Sequence, residues 1–392
     1  MKRALSPFVL SLTAILGGGY AYAAWRLTEP GVVRVALALP FALVWLVPVV
    51  YWVFGRENHR RADDLLHAAS YLCMGWLTYV LVLGLLRDAL LAAGGLAGGA
   101  LETLVARWGV AAVWWGSLVA LAAGMLAAAR GPHVRRVDIA IDRLPAAFEG
   151  FTIAQISDLH VGPTIGAAYV RRVVEIANGL APDLVALTGD IVDGSVQRLS
   201  AAVEPLGRLH ARDGVVLALG NHDYYSGAKA WTAHFGRLGI QVLRNEYLLL
   251  QRGDARLVVG GVTDPAGQFE VPPELPRPEL ASGPVHTDAP RILLAHNPRL
   301  APLAERAGFD LQLSGHTHAG QFFPWTLAVR LVHAPHVEGL SRQGRMWVYV
   351  NAGTGTWGPP VRLGTRPELT LARLTAGGRS ADQHRGVGHA VE

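Results

Sequence analysis

The sequence predicts an α/β (α+β) domain preceded by an all-α membrane region of about four helices. Three observations carry this. Four apolar stretches, residues 7–25, 32–54, 68–86 and 109–128, crowd the first third of the chain, each close to the roughly 20 residues needed to cross a bilayer core as a helix. From about residue 134 the pattern changes to short Val, Ile and Leu runs bounded by Gly, Asp and Asn, with helical periodicity between some of them, as expected for helices packed on sheet. Five of those runs end in clusters of Asp, His and Asn.

The apolar stretches almost lack the polar face that a soluble helix keeps. Trp25, Trp52, Trp76, Trp114 and Trp115 lie within them, several near the ends, as in an interfacial aromatic belt. Lys2, Arg3 and the apolar run up to Ala21-Tyr22-Ala23 resemble a signal peptide with its cleavage site, but the further stretches favour an uncleaved first span. Lys2, Arg3, Arg56, Arg60, Arg61, Arg130, Arg135 and Arg136 would share one side of the membrane, and Arg26, Arg34, Arg87 and Arg107 the other. The richer side is expected to be cytoplasmic. An even number of spans puts the second domain there too, in a multi-pass protein of a bacterial-type inner (plasma) membrane. The expected division is a transmembrane region at 1–133, a second domain at 134–374 and a disordered polar tail at 375–392.

Composition narrows the chemistry. The hydrophobic share is 51% and mean hydropathy +0.28, high for a soluble protein. The net charge of +5 comes almost wholly from scattered arginines, the only lysines being Lys2 and Lys229. No basic block with interleaved aromatics tracks a nucleic-acid backbone, so a nucleic-acid partner is not expected. Cys73 is the single cysteine and sits in an apolar run. That excludes an intrachain disulfide and thiolate clusters, leaving His, Asp, Glu and Asn to hold any metal.

Residues 151–156, 184–187, 215–219, 257–259, 292–294, 311–313 and 347–350 read as buried strands, and 169–180 and 228–238 as helices. The strand ends lead into Ser157-Asp158-Leu159-His160, Thr188-Gly189-Asp190-Ile191-Val192-Asp193, Gly220-Asn221-His222-Asp223, Ala295-His296-Asn297-Pro298 and Ser314-Gly315-His316-Thr317-His318. Ligands bind at the carboxyl ends of strands in α/β folds. Taken singly, an Asp after a strand is as well explained as a turn residue or helix cap, His296 as a packed core histidine, and Gly-Asn-His-Asp as a hairpin turn. The ordered set of five is far more specific than any member.

That ordered series resembles the calcineurin-like metallophosphoesterase superfamily, over roughly residues 150–374. Gly261-Val262-Thr263-Asp264-Pro265, His296-Asn297-Pro298, Gly320-Gln321 and Gly353-Thr354-Gly355-Thr356-Trp357 resemble its membrane-associated bacterial branch, which includes enzymes cleaving UDP-2,3-diacylglucosamine. The resemblance implies a β-sandwich flanked by helices with two divalent metal ions at one edge. Asp158, His160 and His318 would ligate the first ion, Asp190 would bridge both, and Asn221, His296 and His316 would complete the second. His222 would face the leaving group rather than a metal, with Asp223 its candidate orienting partner. Asp193 would stand behind the ligands or in a turn.

The function implied is hydrolysis of a phosphodiester or pyrophosphate bond by metal-activated hydroxide, plausibly in a lipid or lipid precursor. Two ions close together can activate water and neutralise phosphoryl oxygens, and a ligand set without thiolates suits Mn²⁺, with Fe or Zn²⁺ as alternatives. Gly194 follows Asp193, where protein Ser/Thr phosphatases carry an Arg, which argues against phosphoprotein substrates. The competing readings are a broad phosphomonoesterase on soluble esters and a membrane sensor that binds metal or nucleotide without turnover. Two segments could select the substrate. Residues 265–290 are either a lid or a long connection, and the apolar run from Phe322 through Phe323, Trp325, Leu327, Val329, Leu331 and Val332 either faces lipid or packs in the core.

Overall fold

The computed structural model describes residues 7–53, 61–97, 99–283 and 288–377. Lys2, Arg3, Arg56 and Arg60, on which part of the orientation argument rests, lie outside these residues, as do 284–287 and 378–392. The chain divides into two compact units, Met1–Arg130 with Trp357–Leu363, and Gly131–Thr356 with Gly364–Glu392.

The first unit is helical: Pro7–Arg26, Val32–Ala36, Ala38–Val47 running into a π-turn at Pro48–Val53, Arg61–Ala97 and Ala100–Ala129. Among the described residues, three segments are long and apolar enough to cross a membrane, Val32–Tyr51, Ala62–Gly95 and Ala100–Ala129. Apolar side chains, among them Ala23, Leu27, Phe41, Val44, Leu77, Val80 and Val113, form its interior, while Ile15, Leu65, Trp115 and Val119 point outward. Apolar residues on both faces are expected of a helix whose surroundings are themselves apolar. Arg26 and Arg87 meet at Asp88, at 3.0 and 2.6 Å. Within this unit Trp357–Leu363 packs on the helices, the Arg362 N–H donating to Gly124 O at 2.9 Å.

The second unit holds two six-stranded mixed sheets. Its strands are β1 His133–Ile141, β2 Thr152–Ile156, β3 Leu184–Leu187, β4 Val215–Leu217, β5 Gln241–Val242, β6 Glu246–Arg252, β7 Ala255–Gly261, β8 Arg291–Leu294, β9 Leu311–Ser314, β10 Gly339–Gln343, β11 Met346–Val350 and β12 Glu368–Ala376. The orders are β1-β12-β2-β3-β4-β5 and β10-β11-β9-β8-β7-β6. All seven strands and both helices expected from sequence are present. Strand β12 reaches Ala376, so Thr375 and Ala376 belong to the sheet rather than to the tail.

Alternation along the strands explains the continuous apolar runs. Ile153, Leu184, Ala186 and Val216 of the first sheet share one buried cluster with Val259, Ile292, Leu294, Leu313 and Tyr349 of the second. Their neighbours Ala154, Ile156, Val185, Leu187 and Leu217 face the other way, onto Val170, Val173, Trp231 and Phe235 of helices Ala167–Gly179 and Ala228–Arg237. Strands β2, β3 and β4 run parallel, as do β7, β8 and β9. Their carboxyl ends therefore open on a common edge, where the five polar clusters follow.

Candidate metal centre

The two sheet edges are tied before the ligands begin. Buried Gln155 donates from Nε2 to Ser314 O and to Thr188 Oγ1, both at 2.9 Å. The turn after β2 is held on two sides: Asp158 N–H donates to Gly189 O at 2.9 Å, and Thr354 N–H and Gly355 N–H donate to Ser157 O and Asp158 O at 2.7 and 3.0 Å. The second contact gives the Gly353-Thr354-Gly355 motif its use. Two glycines make room for the carboxylates. A Cβ at Gly220 would lie 2.2 Å from Asp190 Oδ1, and one at Gly315 2.1 Å from Asp158 Oδ2.

The side chains converge in two groups. In the first, His160 Nε2 lies 3.0 Å from His318 Nε2, and His318 Nε2 lies 3.3 Å from Asp158 Oδ1. In the second, His296 Nε2 lies 3.1 Å from Asp190 Oδ2 and 3.3 Å from His316 Nδ1, which is 3.0 Å from Asn221 Oδ1. Asp190 Oδ2 also lies 3.8 Å from His160 Nε2, joining the groups. Two donors each about 2.0–2.2 Å from one cation are separated by roughly 3.0–3.4 Å at octahedral to tetrahedral angles, so the donor spacings fit a cation in each group. Two of the far ring nitrogens are held as metal-bound histidines commonly are: His160 Nδ1 sits 3.0 Å from Asp193 Oδ1, and His296 Nδ1 2.8 Å from Thr188 O.

All seven residues expected as ligands are thus brought together. Asp158, His160, Asp190, His296 and His318 are buried, whereas Asn221 and His316 are half-buried and form the open side. His222 stands beside this open side, its backbone N–H donating to Asp190 Oδ1 at 2.8 Å. Sequence adjacency suggests Asp223 as its orienting partner, but the carboxylate at its Nδ1 is that of Asp193, at 2.8 Å. Asp193 therefore holds His160 and His222 at once. Asp223 is fully buried and accepts from the N–H groups of Ile191, Val192 and Gly220 at 2.9, 3.1 and 2.9 Å, bracing the backbone around Asp190. His333, which no sequence motif marks, places its ring 5.4 Å from that of His316.

Burial opposes ionisation of Asp158, Asp190 and Asp193, yet the surrounding histidines outweigh it and hold all three below the usual carboxylate range. Burial also opposes charge on His222 and His296. The carboxylates of Asp193 and Asp190 nevertheless hold His222 up at about 9, and Asp190 holds His296 well above its ordinary value. Burial and the His296 charge push His316 down to about 3. Burial, aided by the Asp190 charge, lifts Asp223 to about 7. Three ionised carboxylates in one buried place call for cationic partners, and the surrounding His, Asp and Asn donors suit a divalent ion.

Two mixed sheets sharing a buried core, with clustered His, Asp and Asn at one edge, are the architecture of a metallophosphoesterase domain. Residues 151–320 match the calcineurin-like phosphoesterase family model. The chain is 32% identical over 251 residues to an uncharacterized metallophosphoesterase of Aquifex aeolicus, covering 63% of this chain and 93% of that one. It is 30% identical over 276 residues to the uncharacterized metallophosphoesterase YkuE of Bacillus subtilis, covering 66% and 95%. The chain belongs to the calcineurin-like phosphoesterase family. It is also 38% identical over 255 residues to a transmembrane protein with metallophosphoesterase domain from Danio rerio, covering 63% of this chain but only 58% of that protein.

Proposed function

We propose that this chain is a membrane-anchored phosphoesterase that hydrolyses a phosphodiester or pyrophosphate bond, in a lipid or lipid precursor, with two divalent ions. The observation that carries it is the position of Asp190, whose Oδ2 lies 3.1 Å from His296 and 3.8 Å from His160, within reach of both ligand groups. Asp158, His160 and His318 would hold one ion and Asn221, His296 and His316 the other, with Mn²⁺ first among the candidates and Fe or Zn²⁺ next. Bound there, the ions would neutralise phosphoryl oxygens and lower the pKa of water.

The chain's own residues do the rest. Asp193 fixes the ring of His222 through Nδ1, and His222 would protonate or hydrogen-bond the departing oxygen. Asp223 keeps the Asp190 turn in place through three backbone N–H groups. Anchoring follows from the three apolar helices, to which we add Pro7–Arg26, itself 20 residues long, as a fourth span. Four spans and the arginine distribution would support a catalytic unit on the cytoplasmic side of a bacterial-type inner membrane. We read the cluster shared by the two sheets as the interior of a β-sandwich. The Gly261–Pro265, Gly320-Gln321 and Gly353–Trp357 motifs support the branch that cleaves UDP-2,3-diacylglucosamine.

The test is hydrolysis of bis-p-nitrophenyl phosphate by the whole chain in detergent, with Mn²⁺ against EDTA and with Asp190→Ala as control. Metal-dependent turnover that disappears in the variant supports the reading and justifies a screen of lipid phosphodiesters and pyrophosphates beside soluble monoesters. A folded chain that binds two ions and hydrolyses none of these esters is a binding protein, and the proposal fails.

A further inference from the structure

Helix Trp325–His333 is built the wrong way round for a soluble domain. At 3.6 residues per turn, Trp325, Leu327, Ala328, Leu331 and Val332 fall on one arc about 160° wide. That arc normally faces a core. Here none of the helix is buried: Leu331 is 87% exposed, and Trp325, Leu327 and Val332 are exposed beside it. The side turned to the domain carries Thr326, Val329 and His333, with the His333 ring against His316 of the metal centre. Phe323, just before the helix, is exposed as well.

A second segment repeats the pattern on the other flank of the cleft. The turn Pro265–Phe269 lies against the short helix that carries Asn221 and His222, with Gly267 beside the Tyr224 ring. At its end Phe269 is 75% exposed, and beyond it Val271 is 96% exposed, followed by exposed Leu275. Two outward apolar segments therefore bracket one opening, the His316 side and the His222 side of the same site.

We infer that this rim docks in the interfacial layer of the bilayer, so that the metal cleft opens onto lipid headgroups. The inference rests on the membrane reading of the helical unit, and it goes beyond the proposed reaction. A bilayer is the occupant because the same chain carries three helices long and apolar enough to cross one, which keeps such a surface permanently within reach. The helix has the composition of an interfacial anchor: Trp325 at its start, aliphatics along the outer arc, Arg330 and His333 in its last turn and no acidic residue. Arg299 closes its end, donating from Nη2 to Val332 O at 3.0 Å. The guanidinium groups of Arg330 and Arg299 suit phosphate-bearing headgroups.

The test places single cysteines in the whole chain, in a Cys73→Ser background, labels each with an environment-sensitive fluorophore and reconstitutes the protein in phosphatidylcholine/phosphatidylglycerol vesicles containing doxyl-labelled lipid. Leu331→Cys and Val271→Cys are expected to lose most of their emission, Asp254→Cys on the β6–β7 hairpin to keep it, and Val119→Cys in Ala100–Ala129 to report insertion of the helical unit. Quenching at Val119 without quenching at Leu331 and Val271 overturns the inference, whether those probes face water or are shielded by a second copy of the chain. No quenching at Val119 removes the membrane reading and the inference with it. Hydrolysis of bis-p-nitrophenyl phosphate by the same labelled chains reports the reaction separately, so loss of docking and loss of the proposed chemistry are told apart.

Discussion

Asp193 offers the sharpest test of how the site is assembled, because one carboxylate oxygen serves two histidines with different duties. Its Oδ1 lies 3.0 Å from Nδ1 of His160, which we propose as a ligand, and 2.8 Å from Nδ1 of His222, which we propose at the leaving group. Asp193→Asn keeps the shape and removes the charge. Through His160 it is expected to weaken metal affinity by about 10–100-fold, the usual cost of losing the group behind a metal-bound histidine. Through His222 it is expected to lower kcat even at saturating metal, by less than His222→Ala, which forfeits acid assistance worth about 10²–10⁴. His222→Ala itself should leave metal affinity nearly unchanged. The assay is chelator competition for Mn²⁺ on each variant, followed by kcat at saturating Mn²⁺ with bis-p-nitrophenyl phosphate. In the double variant the rate loss should be no larger than in His222→Ala alone, since Asp193 reaches the leaving group only through that ring. Unchanged metal affinity in Asp193→Asn, or fully additive rate losses, would refute this account.

Other perturbations have equally direct readouts. Asp190→Ala should lower the bound metal from two ions per chain and abolish turnover, measured by elemental analysis beside the assay. Gly220→Ala forces a Cβ to 2.2 Å from Asp190 Oδ1; a displacement of order 1 Å in a reacting site costs about 10² in rate, so activity should collapse while circular dichroism stays native. Arg252 pairs with Asp183 at 2.7 Å and Asp213 at 3.0 Å and lies over Phe148 and Phe151 at 5.2 and 5.0 Å. Arg252→Ala should lower Tm by about 2–4 °C for each kcal/mol lost. Burial would raise the Asp183 pKa, but the Thr152 N–H and Arg252 outweigh it and hold it below the ordinary value. The stability this contributes is complete above the unfolded carboxyl pKa near 3.9 and vanishes as pH falls through the folded value. The Tm gap between Asp183→Asn and the parent chain should therefore be full at pH 7 and close toward pH 3; a gap that widens on acidification would contradict the pairing.

The strands that sequence misses, β1, β5, β6, β10 and β12, are instructive. Strand β1 mixes three charged residues into nine positions and β6 is half exposed, so neither shows the continuous apolar run that marks a strand covered on both faces. Strand β5 has two residues, too few for any periodicity to register. The apolar segment after the His pair was legible as apolar, but not its direction. Its outward face depends on Thr326 and His333 turning inward toward the site.

What the sequence determines by itself is the chemistry available and its place at strand ends: which residues can bind a cation, that no thiolate is among them, and that five buried runs lead into them. Only the tertiary structure decides how those groups meet. Asp158, His160, Asp190, His316 and His318 all take positive φ, between 49° and 72°, a region that side-chain-bearing residues enter only when the surroundings over-determine it. No local propensity announces this; the crossing backbone bonds between the strand-end turns impose it. The same holds for His222. Its sequence neighbour Asp223 faces another way, because adjacent residues in a helical turn point about 100° apart, and the carboxylate that orients the ring arrives from a turn 29 positions earlier.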